Sequence, residues 1–225
     1  MHDKAAVETA VRGLFDGRIG FGLTDPGAPQ PALMPEEAGH VAHAIHARQT
    51  EFAAGRAAAR IAMRDVGFAP QAVPAQYNRA PQWPAGLAGS ISHTKELCMA
   101  VVSTDAKSLG LDVEKIHVID KDIISTICSE REMDHIPYAD QPHLALAIFA
   151  AKEATYKAQF PLTQTLFGFD TLHVIMEPEA RRFTATFVHA VGPFRVGYTL
   201  PGRFAEVAGH LVTAVTIGHF DHEGA

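Results

Sequence analysis

Asp112 and Glu114 stand two residues apart in the segment GLDVE, 110–114. On a strand, that spacing sends both carboxylates out of one face. Adjacent carboxylates repel, which is tolerable if both are solvated or if a divalent cation sits between them. Oxygen-only ligands suit Mg²⁺ or Mn²⁺. About forty residues later comes FAAKEATYKA, 149–158. Read as a helix, it stacks Phe149, Glu153 and Lys157 on one face at spacing four, with Lys152 and Tyr156 beside them. A carboxylate between two ammonium groups makes chemical sense where a metal and a polyphosphate share a site. Glu153 would then be a third carboxylate, and Lys152 and Lys157 would hold phosphate oxygens. The plain alternative is a Glu–Lys pair on a solvated helix face.

Two further stretches are suited to anions. Arg48, Arg56, Arg60 and Arg64 recur at helical spacing and share a face with Phe52. Guanidinium forks match phosphate oxygens. For Arg60 and Arg64 a solvated face balanced by Glu51 and Asp65 is the favoured reading. The block RAPQWPAGLAGSISHT, 79–94, runs from a Pro/Gly-rich loop into a strand ending in Ser92 and His93. An imidazole at a strand end can donate to a phosphate or hold a purine. His40, His43 and His46 are spaced by three, which drifts around a helix with no acidic or cysteine partner nearby, so no zinc site is expected.

These groups need elements to place them. Residues 1–35 read as irregular surface with little helix. A helix is expected from Pro35 through PEEAGHVAHAIHA, with Pro and acids in its first turn. A second follows over RQTEFAAGRAAARIAMRDVG, ending at Gly67. Residues 69–89 are turn-rich. Strands are expected at 90–93, 97–103 and 109–116, and helices at 121–135 and 142–159. Beyond them DTLHVIME, RFTATFVHA, FRVGYTL, RFAEVAG and HLVTAVTIGH each read as a strand. The tail GHFDHEGA reads as a frayed end. Helices then strands occur twice, so the expected class is α+β, in two similar halves that divide near 104–108.

Composition sets the outer bounds. With 225 residues, 47% of them apolar, the chain can bury a real core. Two cysteines, Cys98 and Cys128, give no disulfide framework and no zinc spacing. A net charge of −6 argues against a general nucleic-acid binder. No secretory signal or membrane-length apolar run is visible, so a cytoplasmic protein is expected.

In this order, FAAGRAAA, WPAGLAGSISHT, GLDVE and FAAKEATYKA resemble the 4′-phosphopantetheinyl transferases, in the larger pseudo-dimeric class and nearest the enterobactin-synthetase activators. The resemblance covers roughly residues 48–158. It implies two α+β halves in one chain, 1–104 and 105–225, with the active site in the cleft between them, and a monomer. By the same resemblance, Asp112, Glu114 and Glu153 match Mg²⁺ ligands. Lys157 and Lys152 match residues on the pyrophosphate of coenzyme A. Arg56, Arg79 and His93, with Arg48, match the group on its 3′-phosphate, and Ser92 borders the adenine. The implied reaction moves phosphopantetheine to a serine of an apo acyl or peptidyl carrier protein and releases 3′,5′-ADP. Glu153 takes the serine proton directly or through a water, the water route being preferred. The family often has serine where this chain has Ala150. The rival readings are a Mg²⁺-dependent phosphohydrolase and a non-catalytic coenzyme A- or carrier-binding protein.

Overall fold

The computed structural model describes residues 3–134 and 141–218. In chain order the elements are α1 (Lys4–Arg12), β1 (Gly20–Thr24), α2 (Pro35–Ala38), α3 (His46–Asp65), β2 (Ala88–His93), β3 (Cys98–Ser103), β4 (Ser108–Lys115), α4 (Lys121–Ile127), α5 (Glu130–Met133), α6 (Gln141–Thr163), β5 (Leu172–Glu177), β6 (Arg182–Phe187), β7 (Thr199–Val207) and β8 (His210–Ile217). The fold is α+β. Two antiparallel sheets, ordered β1-β3-β2 and β4-β8-β7-β6-β5, each carry one long helix, α3 on the first and α6 on the second.

Small residues let each helix sit low on its sheet. A Cβ added at Gly22 in β1 would overlap the Ala58 carbonyl of α3, and one added at Gly110 in β4 would overlap the Ala154 carbonyl of α6. The two helices therefore meet their sheets in the same way, which is the local basis of the two-halved architecture. The halves abut at sheet edges. β2 and β4 are both edge strands, and an edge amide without a partner is costly to bury. Serine hydroxyls solve this: Leu111 N–H donates to Ser90 Oγ at 3.0 Å and Val113 N–H to Ser92 Oγ at 3.2 Å. Behind the edges one apolar core is shared, with Val7 and Val11 of α1 packed among Phe21, Met99, Leu109, Leu111 and Val212.

Several sequence expectations change. Residues 1–35 hold α1 and β1, not irregular surface. The α1 helix is capped by Asp3 Oδ1, which accepts from Ala5 and Ala6 N–H, and its buried stripe is only Val7 and Val11. So narrow a stripe is a weak signal. The helix expected from Pro35 stops at Ala38, and α3 starts only at His46. The single helix expected at 121–135 is two, because Ser129 caps a new one-turn helix by accepting Glu132 N–H. FRVGYTL and RFAEVAG are not two strands. Residues 191–198 form a turn closed by a Val191–Phe194 bridge, and one strand, β7, follows. The tail from 219 lies outside the described residues, as does the end of the 121–135 segment. Both cysteines are buried free thiols. No helix among the described residues is long and apolar enough to cross a membrane.

Candidate active site

A cleft runs between the halves, over the β2–β4 junction and between α3 and α6. Its walls bring together Arg48, Arg56, Arg79, Ser92, His93, Asp112, Glu114, Glu153 and Lys157, in a volume of about 350 Å³. These residues come from stretches spread over more than a hundred positions of chain. Of the ten side chains that the sequence singles out for the site, Lys152 alone is absent from these walls.

The carboxylate wall is built around Asp112. Its side chain is almost fully buried, and Oδ1 accepts from Lys157 Nζ at 2.6 Å and from Ser92 Oγ at 2.9 Å. Oδ2 is buried with no hydrogen-bond partner. Lys157 also donates to Ser92 Oγ at 3.0 Å. Ser92 is thus a joint: it caps a β4 amide and ties β2 to both charged groups. The partner of Lys157 is Asp112, on the strand β4 that α6 packs against, and not Glu153 one turn back on its own helix. Burial, reinforced by the nearby Asp112 charge, pushes the Glu114 carboxyl up to about 7. Burial also raises Glu153, against the pull of Lys157. Among the described residues no three such side chains stand close enough to form a ready-made ligand set.

The opposite wall is cationic. Arg56 is buried, its guanidinium carbon 3.8 Å from the Phe52 ring centroid, and its Nε donates to the Val73 carbonyl at 2.7 Å. Its Nη2 is buried and has no partner. Burial draws its pKa down to about 10, opposed by the charge of Glu37, so it stays a cation at neutral pH. Arg48 lies 3.6 Å from Glu51, and His93 Nε2 lies 3.9 Å from the same carboxylate. Burial lowers the His93 pKa, and Arg48 and Lys157 add to the effect against Glu51. Arg79 occupies the left-handed region, with φ 71°, near the tip of the loop facing α3. Past Lys157 the cleft deepens into a cavity of about 470 Å³ that includes Trp83, Leu87, Tyr156 and Phe160.

Two expected positions are corrected. Lys152 does not reach the cleft. Its ammonium is buried, donating to the Ile127 and Phe169 carbonyls and to Glu132 Oε2, each at 2.9 Å. Neighbouring helix positions point about 100° apart, so Glu153 faces the cleft while Lys152 faces α5. Arg60 is not solvated; its Nη1 lies 2.8 Å from both oxygens of Glu37, a residue with no exposure. Arg64 is exposed, as expected. In the sequence Glu37 is only one of the acids in the first turn from Pro35, and Glu132 lies unremarked inside the segment expected as one helix. Losing one partner of a buried pair leaves an uncompensated charge, worth about 3–5 kcal/mol. Lys152→Met is therefore expected to destabilise the fold by that amount while coenzyme A affinity of the folded fraction holds. Urea titration together with calorimetric binding checks both halves of the expectation.

The comparisons agree with this architecture. Residues 36–103 match the model of the 4′-phosphopantetheinyl transferase N-terminal domain. Residues 108–200 match that of the 4′-phosphopantetheinyl transferase superfamily. The chain belongs to this family, whose members move phosphopantetheine from coenzyme A to carrier proteins. It is 36% identical over 201 residues to the 4′-phosphopantetheinyl transferase Svp of Streptomyces mobaraensis, covering 85% of this chain and 81% of that one. To the 4′-phosphopantetheinyl transferase PptT of Mycobacterium tuberculosis it is 33% identical over 206 residues, 86% of this chain and 89% of that one. Enterobactin synthase component D of Salmonella typhi is 40% identical over 133 residues, 56% of this chain and 54% of that protein.

Proposed function

We propose that this cleft transfers 4′-phosphopantetheine from coenzyme A to a serine hydroxyl of an apo acyl or peptidyl carrier protein, with release of 3′,5′-ADP and dependence on Mg²⁺. The observation that carries the residue assignment is the convergence of Asp112, Glu114 and Glu153 opposite Arg48, Arg56, Arg79 and His93. A pyrophosphate with a terminal sugar phosphate needs an acidic wall for a metal and a basic wall for the second phosphate.

The residues present fit Mg²⁺. The buried, unpartnered Oδ2 of Asp112 is a hard oxygen donor awaiting a cation, and Glu114 and Glu153 are carboxylates whose charge the site raises in energy. When bound, Mg²⁺ neutralises charge on the pyrophosphate and stabilises the leaving oxygen. The chain does the rest by positioning. Lys157 turns its ammonium from Asp112 toward the pyrophosphate and supplies a fixed positive charge. Arg56, Arg79 and His93, with Arg48, hold the 3′-phosphate, and the β2 backbone at Ser92 borders the adenine. Glu153 takes the serine proton through a water. A recess lined by Tyr156, Phe167 and Phe169 opens beside Glu153 and offers an apolar wall to the pantetheine arm.

Mass spectrometry of an apo carrier protein after incubation with coenzyme A, Mg²⁺ and the enzyme tests the reading. A gain of one phosphopantetheine is expected. Cleavage of coenzyme A without a carrier would mark a phosphohydrolase instead, and Mg²⁺-dependent binding without turnover a non-catalytic binder. The role of Lys157 has its own test. Lys157→Met keeps the apolar stem and removes the charge. Turnover of the folded protein is expected to fall about a hundredfold or more, with about 1–3 kcal/mol lost in stability because the nearly buried Asp112 carboxylate keeps only Ser92 as a partner. Unchanged rate and affinity would reduce Lys157 to a partner of Asp112.

A further inference from the structure

Glu37 stands outside the cleft, yet it grips the chain that forms the cationic wall. It is fully buried at the third position of the one-turn helix α2. Its carboxylate accepts from Arg60 Nη1, from Met34 N–H at 3.0 Å and from Val73 N–H at 2.9 Å. Val73 is held from its other side by Arg56, whose Nε donates to the Val73 carbonyl. One buried peptide segment is thus clamped between an anion on its N–H and a cation on its C=O. Val73 is also the root of the loop that carries Arg79. Gln82 N–H closes this loop on the Pro74 carbonyl at 2.9 Å, Gln76 N–H bonds the Ala80 carbonyl at 2.8 Å, and Arg79 N–H bonds the Gln76 carbonyl at 2.9 Å. The bonds within the loop are its own, and at its root Val73 is held by Glu37 and Arg56.

We infer that Glu37 is a positioning residue for the anion-binding wall: through Val73 it sets where Arg56 and Arg79 stand, and so sets the preference of the enzyme for a ligand that bears a second, terminal phosphate. The geometry gives two reasons. Arg56 has one hydrogen bond to protein among those described, and that bond ends on Val73. Its Nη2 is left buried and without a partner, so its aim depends on the Phe52 ring under it and on where Val73 lies. Arg79 reaches the cleft from a loop whose own bonds are mostly internal, so the placement of that loop depends on its root. Glu37 also opposes the loss of the Arg56 proton that burial favours. A carboxylate that served only the folding of α2 would not need to hold a residue thirty-six positions away. The inference rests on the assignment of Arg56 and Arg79 to the 3′-phosphate.

The test compares binding of coenzyme A with that of dephospho-coenzyme A, which lacks the 3′-phosphate, in the full chain. Arg56→Ala reports on the underlying assignment and should lose most of the wild-type preference for coenzyme A. Glu37→Leu should weaken coenzyme A by roughly tenfold and dephospho-coenzyme A by less than about twofold. Glu37→Gln retains an acceptor for the Val73 N–H and should recover most of that loss. Because Glu37→Leu leaves Arg60 buried and alone, Glu37→Leu/Arg60→Met is measured beside it; removing both charges together spares the fold while still freeing Val73. If Arg56→Ala erases the preference and the double variant keeps it, Glu37 is purely structural and the inference is overturned. If Arg56→Ala itself leaves the preference intact, the 3′-phosphate assignment is what fails.

Discussion

Asp112→Ala is expected to cut Mg²⁺-dependent transfer by at least roughly a hundredfold while the protein stays folded, and Glu153→Ala to do the same. The size of the effect follows from where Asp112 sits. It is the most deeply buried of the three carboxylates, it offers the unpartnered oxygen, and it holds Lys157 through the other one. Its removal takes away the donor proposed for the metal and, at the same time, the group that parks the lysine. The fold tolerates the change because Lys157 is partly exposed and can turn to water. Ser92 still caps the Val113 N–H. Glu114 also loses the neighbour that, after burial, does most to raise its pKa, so the metal-free protein should be no less stable than wild type. Carrier modification by mass spectrometry, Mg²⁺ titration and thermal melting without metal read the three outcomes. Wild-type transfer by a folded Asp112→Ala protein would remove the metal assignment.

A stability loss as large as that of breaking a buried ion pair is expected from one methyl group. Gly110→Ala places a Cβ where the Ala154 carbonyl already stands. Backbone cannot yield as a flexible side chain does, so either β4 or α6 must move. The expected loss is about 3 kcal/mol or more, at the upper end for single substitutions. Activity should fall with it, because Ala154 follows Glu153 and a lifted helix carries that carboxylate away from Asp112. Gly39→Ala is the control: Gly39 has φ −60° and nothing near the added Cβ. Urea midpoints at unchanged slope compare the two. Equal midpoints for Gly110→Ala and wild type would show that the close approach of α6 to β4 does not matter to the fold.

These two cases mark how legible the molecule is in its sequence. Glu153 and Lys157 share a face because a helix repeats near four, and Asp112 and Glu114 share a face because a strand repeats at two. Both periods are local, and both are visible in ten residues or fewer. The Pro/Gly-rich approach to SISH likewise announces a loop and then a strand. By contrast, α1 was hidden because its buried stripe is two valines, and the turn at 191–198 because FRVGYTL carries strand-like residues through a bend.

What the sequence determines by itself is therefore which side chains share a face: the carboxylates on β4, Glu153 with Lys157 on α6, and Arg48 with Arg56 on α3. It also marks the order α+β, then α+β, through the alternation of periods. What only the tertiary structure decided is the partner of each charge. Lys157 chose Asp112 over Glu153, Lys152 turned to Glu132, and Arg60 went to Glu37. A local pair at spacing four is worth only a few tenths of a kcal/mol, and desolvation by an approaching element easily outweighs it. Which element approaches depends on Gly22 and Gly110 letting the helices settle, on Ser90 and Ser92 sealing two sheet edges together, and on α1 closing the core behind them. Those are contacts between residues far apart in the chain, and no local period carries them.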